Sequence, residues 1–191
     1  MSTRVPAIPY AVALDLVRQR YIEFARKSGL IVGYQELPIQ REVKNYALEA
    51  PDGYEVFAVK GAGHPDGWAW HRSNAHHWFS LWGYRFWVRD NCEVIFDTAP
   101  SNDESDRYVL LTLLPSPCAD TILSSVATPY GQGIAAGAIA DALDMPNKAW
   151  TNPNLATKFE RTFYRACAAA KNLAITNRGG ISPEFKPVRI L

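Results

Sequence analysis

The sequence predicts an α+β fold: an N-terminal helix, an antiparallel β-meander of about five to six strands, and C-terminal helices. Two patterns predict it. Helical three-and-four spacing of apolar residues is confined to the two ends of the chain, and short aromatic and β-branched runs separated by turn residues occupy the middle. The 191 residues suit one sizeable core, so 1–191 is expected to be a single α+β domain.

The first helix is expected from Pro9 to Gly29. Tyr10, Leu14, Val17, Tyr21 and Phe24 step along one face, Asp15, Arg18, Gln19, Glu23 and Arg26 take the other, and Pro9 and Gly29 punctuate the ends. A mixed segment with Pro38 follows. Tyr46 to Val59 then reads as two strands joined through Pro51-Asp52-Gly53, and the glycine-rich stretch Lys60 to Asn74 as a loop. Three short strands are expected at His76–Trp82, Tyr84–Arg89 and Cys92–Asp97, separated at Gly83 and Asp90-Asn91. The acidic run Ser101 to Asp106 reads as a loop, and the almost continuously apolar Tyr108–Leu114 as a buried strand. Pro115 and Pro117 stop that strand. A short helix is expected from Cys118 to Ala127, a small-sided one over Ile134–Leu143, and a third from about Asn154 to Asn172, capped by Asn152-Pro153.

Composition narrows the function classes. Twenty Lys and Arg against nineteen Asp and Glu leave a net charge of +1, with the basic residues scattered along the chain, so neither a nucleic acid nor a membrane is expected as partner. A protein or peptide is. Cys92, Cys118 and Cys167 form an odd set without paired metal spacing, which points away from a disulfide framework and towards reduced thiols. Pro6 and Pro9 interrupt the N-terminal apolar stretch, so it lacks the core of a secretion signal, and no segment has the apolar length of a membrane span. A cytoplasmic protein is the expectation, although signal-independent export leaves no trace in sequence.

Chemistry-bearing residues concentrate in one segment. All four histidines, His64, His71, His76 and His77, and five of six tryptophans, Trp68, Trp70, Trp78, Trp82 and Trp87, lie between positions 64 and 87. Clustered imidazoles supply general bases or metal ligands, and tryptophans supply amphipathic contact area. Trp68 and Trp70, on the expected loop, together with Trp78 and Trp82 are candidate binding residues, while for the strand tryptophans Trp78, Trp82 and Trp87 closing the core is the favoured reading. The glycines Gly131, Gly133 and Gly137 imitate a phosphate loop, but no strand leads into them and no lysine follows, so close helix packing is the better reading.

A histidine opening one strand, His77, and an aspartate closing a later one, Asp97, resemble the His and Asp half of papain-like and transglutaminase-like thiol enzymes. That resemblance, limited to Ala75–Pro100 plus Cys118, implies a small thiol hydrolase or acyl transferase acting on a peptide, amide or ester, with His77 as base and Asp97 orienting it. In the ordinary order of that superfamily the nucleophilic cysteine precedes the histidine, and here no cysteine precedes Cys92. A circularly permuted order would use Cys118, whose thiolate the start of a helix would favour.

Two other classes compete. A non-catalytic interaction protein, whether inhibitor, immunity factor or assembly subunit, would bind a protein partner through the Trp-rich surface. A metal-dependent enzyme would hold a divalent ion with His64, Asp66, His71 and His76 or His77, although their spacing matches no compact metal motif; otherwise no cofactor is expected.

Overall fold

The computed structural model describes residues 8–63, 78–81, 84–105, 107–119, 121–176 and 187–189. The α+β class stands, with one helix before the strands and two after them. The chain divides into two compact units: a helical one from Met1–Ile31 and Pro115–Leu191, and a strand unit, Val32–Leu114, inserted between those two segments in sequence.

Helix α1 (Tyr10–Ser28) starts after Pro9, which sits at the cap with extended backbone (φ −60°, ψ 139°). It ends at Gly29, whose left-handed φ of 58° lets its N–H bond back to the Ala25 carbonyl at 2.9 Å. The three-and-four spacing buries Leu16, Val17, Tyr21, Phe24 and Ala25, whereas Tyr10 stays exposed. Helix α3 (Pro153–Thr176) is capped as expected, Asn152 Oδ1 accepting from the Leu155 N–H at 3.1 Å. It buries Ala156, Phe163, Cys167, Ala170 and Ala174 along one stripe.

Helix α2 (Ser124–Asp144) departs from expectation. Instead of one helix beginning at Cys118 and another at Ile134, a single helix starts at Ser124 and runs through Pro129. Proline near the start of a helix costs one backbone bond, here the one Ser125 C=O would accept. Packing offsets that cost. Tyr130 meets Phe24 with ring centroids 5.2 Å apart, and Gly133 and Gly137 lie so close to α3 that an added Cβ would come within 2.3 Å of Ala166 and 2.8 Å of Phe163. The glycines therefore serve helix packing, as their sequence context suggests.

One arginine joins all three helices. Arg20 on α1 makes a bidentate pair with Asp141 on α2, its Nε 2.6 Å from Oδ2; it also reaches Glu160 on α3 at 3.0 and 3.1 Å and Glu23 at 2.8 Å, and lies 4.9 Å from the Phe163 ring centroid. Its side chain is only 11% exposed, and the hydrogen bonds to Asp141 lead the effects that hold the guanidinium above its ordinary pKa.

The strand unit contains two sheets rather than one meander. Strands β1 (Val32–Glu36), β7 (Tyr108–Pro115) and β3 (Tyr54–Gly63) form one in the order β1-β7-β3, β1 running antiparallel to β7. Strands β2 (Asn45–Ala47), β6 (Glu93–Phe96), β5 (Tyr84–Arg89) and β4 (Trp78–Leu81) form the other in the order β2-β6-β5-β4, antiparallel throughout. The Pro51-Asp52-Gly53 turn forms, with Gly53 at φ 79°, yet it does not close a hairpin, because β2 and β3 join different sheets. Asp90 and Asn91 both take positive φ (49° and 57°), the conformation that a tight β5–β6 reversal requires. In the helical unit β8 (Thr121–Leu123) pairs with β9 (Pro187–Arg189), so a strand stands where the sequence suggested the first helix after Pro117.

Candidate functional site

The four-stranded sheet has two unlike faces, and its register sorts them. Tyr46 stands opposite Val94, Val88 opposite Val94, and Phe86 opposite Phe96; Tyr46, Phe86, Val94 and Phe96 are buried. Their rings meet edge to face, Phe86–Phe96 at 5.7 Å and Tyr46–Phe96 at 5.5 Å, and the Tyr46 hydroxyl donates to the Val43 carbonyl at 3.1 Å. This face is core.

Alternation puts the intervening residues on the opposite face. Trp87 lies at its centre, half-buried, in one row with buried Ile95 on β6 and exposed Asn45 on β2. On one side the next row on that face pairs Arg89 with Glu93, whose side chains form an ion pair. On the other side exposed Arg85 stands opposite exposed Asp97, whose backbone N–H donates to the Arg85 carbonyl at 2.8 Å. The result is a row of half-buried Trp87 and buried Ile95, ending at exposed Asn45, between two rows that each carry an arginine and a carboxylate.

The thiol-enzyme residues fall differently. Cys118 is exposed, but it occupies the Ser116–Ala119 turn ahead of β8, its own N–H 3.4 Å from Ser116 Oγ, and the helix begins only at Ser124. The expected helix start at Cys118 is thus corrected, and with it goes the dipole that would have favoured a thiolate. The cause is a distant partner: Thr121 and Ile122 are β-favouring, and the segment Thr121–Leu123 pairs with β9, which delays the helix. Asp97 closes β6, its carbonyl accepting from Lys44 Nζ at 3.0 Å, and belongs to the strand unit, whereas Cys118 belongs to the helical unit. Among other thiols, Cys92 is exposed in the β5–β6 turn, and Cys167 is buried on α3, where burial pushes its thiol up to about 11.

His77 lies outside the described residues, as do His64, Asp66, Trp68, Trp70, His71, His76 and Trp82. Among the described residues, no group of three or more His, Cys, Asp or Glu could hold a metal ion. Nor is any described helix long and apolar enough to cross a membrane.

Sequence reasoning left out Trp87, which it grouped with strand tryptophans better suited to core. The signal was present: Arg85 and Arg89 flank Trp87 at two-residue spacing, so the three share the face away from Phe86. No protein-family model matches this chain, and no curated protein matches its sequence.

Proposed function

We propose that this chain is a non-catalytic interaction protein, of the inhibitor, immunity-factor or assembly-subunit kind, that binds a protein partner through the sheet face centred on Trp87. The observation that carries this reading is the arrangement of that face. Trp87, half-buried over buried Ile95 and set between rows carrying Arg85 with Asp97 and Arg89 with Glu93, has the anatomy of a contact surface: an aromatic centre within a polar rim. Tryptophan and arginine are also the residue types that dominate binding energy where their surroundings exclude water.

The test is affinity capture from the native source with the wild type and with Trp87→Ala, followed by reconstitution from purified components. The reading expects a partner whose affinity falls at least about tenfold in Trp87→Ala, in keeping with a hot-spot loss above about 1.4 kcal/mol. A partner bound equally well by the variant would move the interface elsewhere.

One observation favours the thiol-enzyme reading as a second: Cys118 is exposed and so open to substrate. In that reading His77, oriented by Asp97, takes the proton of Cys118 as its sulfur attacks a peptide, amide or ester carbonyl, and returns it to the departing amine or alcohol as the carbonyl's bond to that group breaks; water or another acceptor then cleaves the acyl thioester. Fast alkylation of Cys118 at neutral pH that disappears in His77→Ala would favour it over the interaction reading. Labelling at the rate of a simple exposed thiol, unchanged in His77→Ala, would remove it.

A further inference from the structure

The net charge of +1 conceals a strong division. By sequence, the helical unit carries thirteen Lys and Arg against seven Asp and Glu, net +6, and the strand unit seven against twelve, net −5. Because the helical unit is assembled from both ends of the chain, cations that look scattered along the sequence belong to one unit.

Within it the carboxylates are largely engaged. Glu23, Asp141 and Glu160 surround Arg20, and Asp15 pairs with Arg18. Glu160, the one acidic residue on α3, is drawn to Arg20, so the solvent side of α3 carries exposed Lys158, Arg161, Arg165 and Lys171 with no carboxylate of its own helix among them. None of these four has an ion pair among the described residues. Lys158, Arg161 and Arg165 follow the three-and-four spacing of a single stripe, about 10 Å long at 1.5 Å per residue.

From this stripe we infer that α3 is a contact surface for the phosphate backbone of a nucleic acid, bound without regard to sequence. What separates the cations decides the partner's class. The side chains around them are small: Thr157 and Thr162, whose hydroxyls bond back to the carbonyls of Pro153 and Lys158 at 3.0 and 3.2 Å, and Ala168 and Ala169. Nothing on the stripe offers the aromatic or aliphatic anchor that a protein interface uses at its centre. Tyr164 beside it is taken up by Lys27, 5.1 Å from its ring centroid, and exposed Leu173 and Ile175 lie about two turns beyond Arg165. Phosphates need only cations and close approach, and small neighbours permit that approach. This surface is independent of the Trp87 face, and neither reading rests on the other.

The test is fluorescence anisotropy of a short labelled DNA duplex with the full chain between about 50 and about 200 mM salt, with polyglutamate as a second ligand. Three phosphate contacts predict a slope of log affinity on log salt of about −2.7, hence a loss of about 40-fold over that range. Each of Lys158→Gln, Arg161→Gln and Arg165→Gln should bring the slope about one closer to zero, while Arg41→Gln in the strand unit leaves it unchanged. All of these side chains are exposed, and circular dichroism checks that the variants remain folded. Absence of duplex binding at low salt, or a triple variant with an unchanged slope, overturns the inference. Binding of polyglutamate without binding of duplex also overturns it and assigns the stripe to an acidic protein segment instead.

Discussion

The helical and strand units solve the same problem, burying an apolar face, by different means. In the helical unit the backbones approach closely: Gly133 and Gly137 leave no room for a side chain, Phe163 fills the space against α2, and Arg20 ties the three helices through carboxylates on each. In the strand unit the ladders set the spacing, and an edge-to-face group of Tyr46, Phe86 and Phe96 fills one side of a sheet. The difference matters for function. A helix bundle packed through glycine and a half-buried ion cluster tolerates little change inside, yet leaves a whole helix side for solvent; a sheet with one buried face leaves part of the other exposed.

The largest effects are expected from removing one aromatic from each unit. Phe163 and Phe86 are both fully buried, so Phe163→Ala and Phe86→Ala should each cost about 3–5 kcal/mol. If the units are thermodynamically distinct, calorimetry will show each variant lowering a different transition; one shared transition shifted equally would mean that they unfold together. Next in size is Gly133→Val. Even a first methyl would sit 2.3 Å from Ala166 Cβ, so overpacking should cost about 3 kcal/mol in denaturant titration, whereas the same change at Gly131, with open space around it, should be neutral or stabilise by about 0.3 kcal/mol, because Val is the better helix former.

A smaller effect separates the two kinds of ion pair. Asp141→Ala leaves Arg20 without its bidentate partner and should destabilise by about 2 kcal/mol, less than for a fully buried pair because Asp141 is 29% exposed. Arg20→Met in the same chain should recover part of that loss. Glu93→Ala removes the ion pair with Arg89, 56% exposed on the sheet face, and should change stability by less than about 0.5 kcal/mol. Equal effects at the two sites would remove the distinction between a structural ion cluster and a surface one.

The smallest effect concerns pH. Burial raises the folded Cys167 thiol from about 9 to about 11, so the folded state favours the neutral form. Its contribution is fully present below about pH 9 and is lost as pH rises towards and through about 11. Stability measured relative to neutral pH should therefore fall less over that window in Cys167→Ala than in the wild type, and alkylation of native protein should reach Cys92 and Cys118 well before Cys167.

Where the chain carries its own punctuation, structure and sequence agree. Pro9 and Gly29 bound α1, Asn152-Pro153 starts α3, Asp90-Asn91 turns β5 into β6, and the apolar run after Tyr108 becomes the central strand of its sheet. Agreement ends where a distant segment makes the choice. Strand β1 shows only half a pattern, with Val32 and Gly33 buried and Tyr34 and Glu36 exposed, and needs β7 to become a strand. Helix α2 crosses Pro129 because α1 and α3 pack against it, and the residues around Cys118 give up helix for a pairing with β9. The Trp87 face was partly legible, since Arg85 and Arg89 mark it, but the basic side of α3 was not, because its isolation depends on Glu160 being drawn to Arg20.

The order of residues alone thus settled the fold class, both ends of α1, the start of α3 and the positions of most strands, because caps, turns and periodicity act over a few residues and need no partner. Which strands share a sheet, where α2 begins, which carboxylates surround Arg20 and how the charge divides into +6 and −5 were decided by tertiary structure. Each of those depends on segments up to about a hundred or more positions apart coming together, and local propensities differ by too little, about 1 kcal/mol per residue, to resist the packing that brings them there.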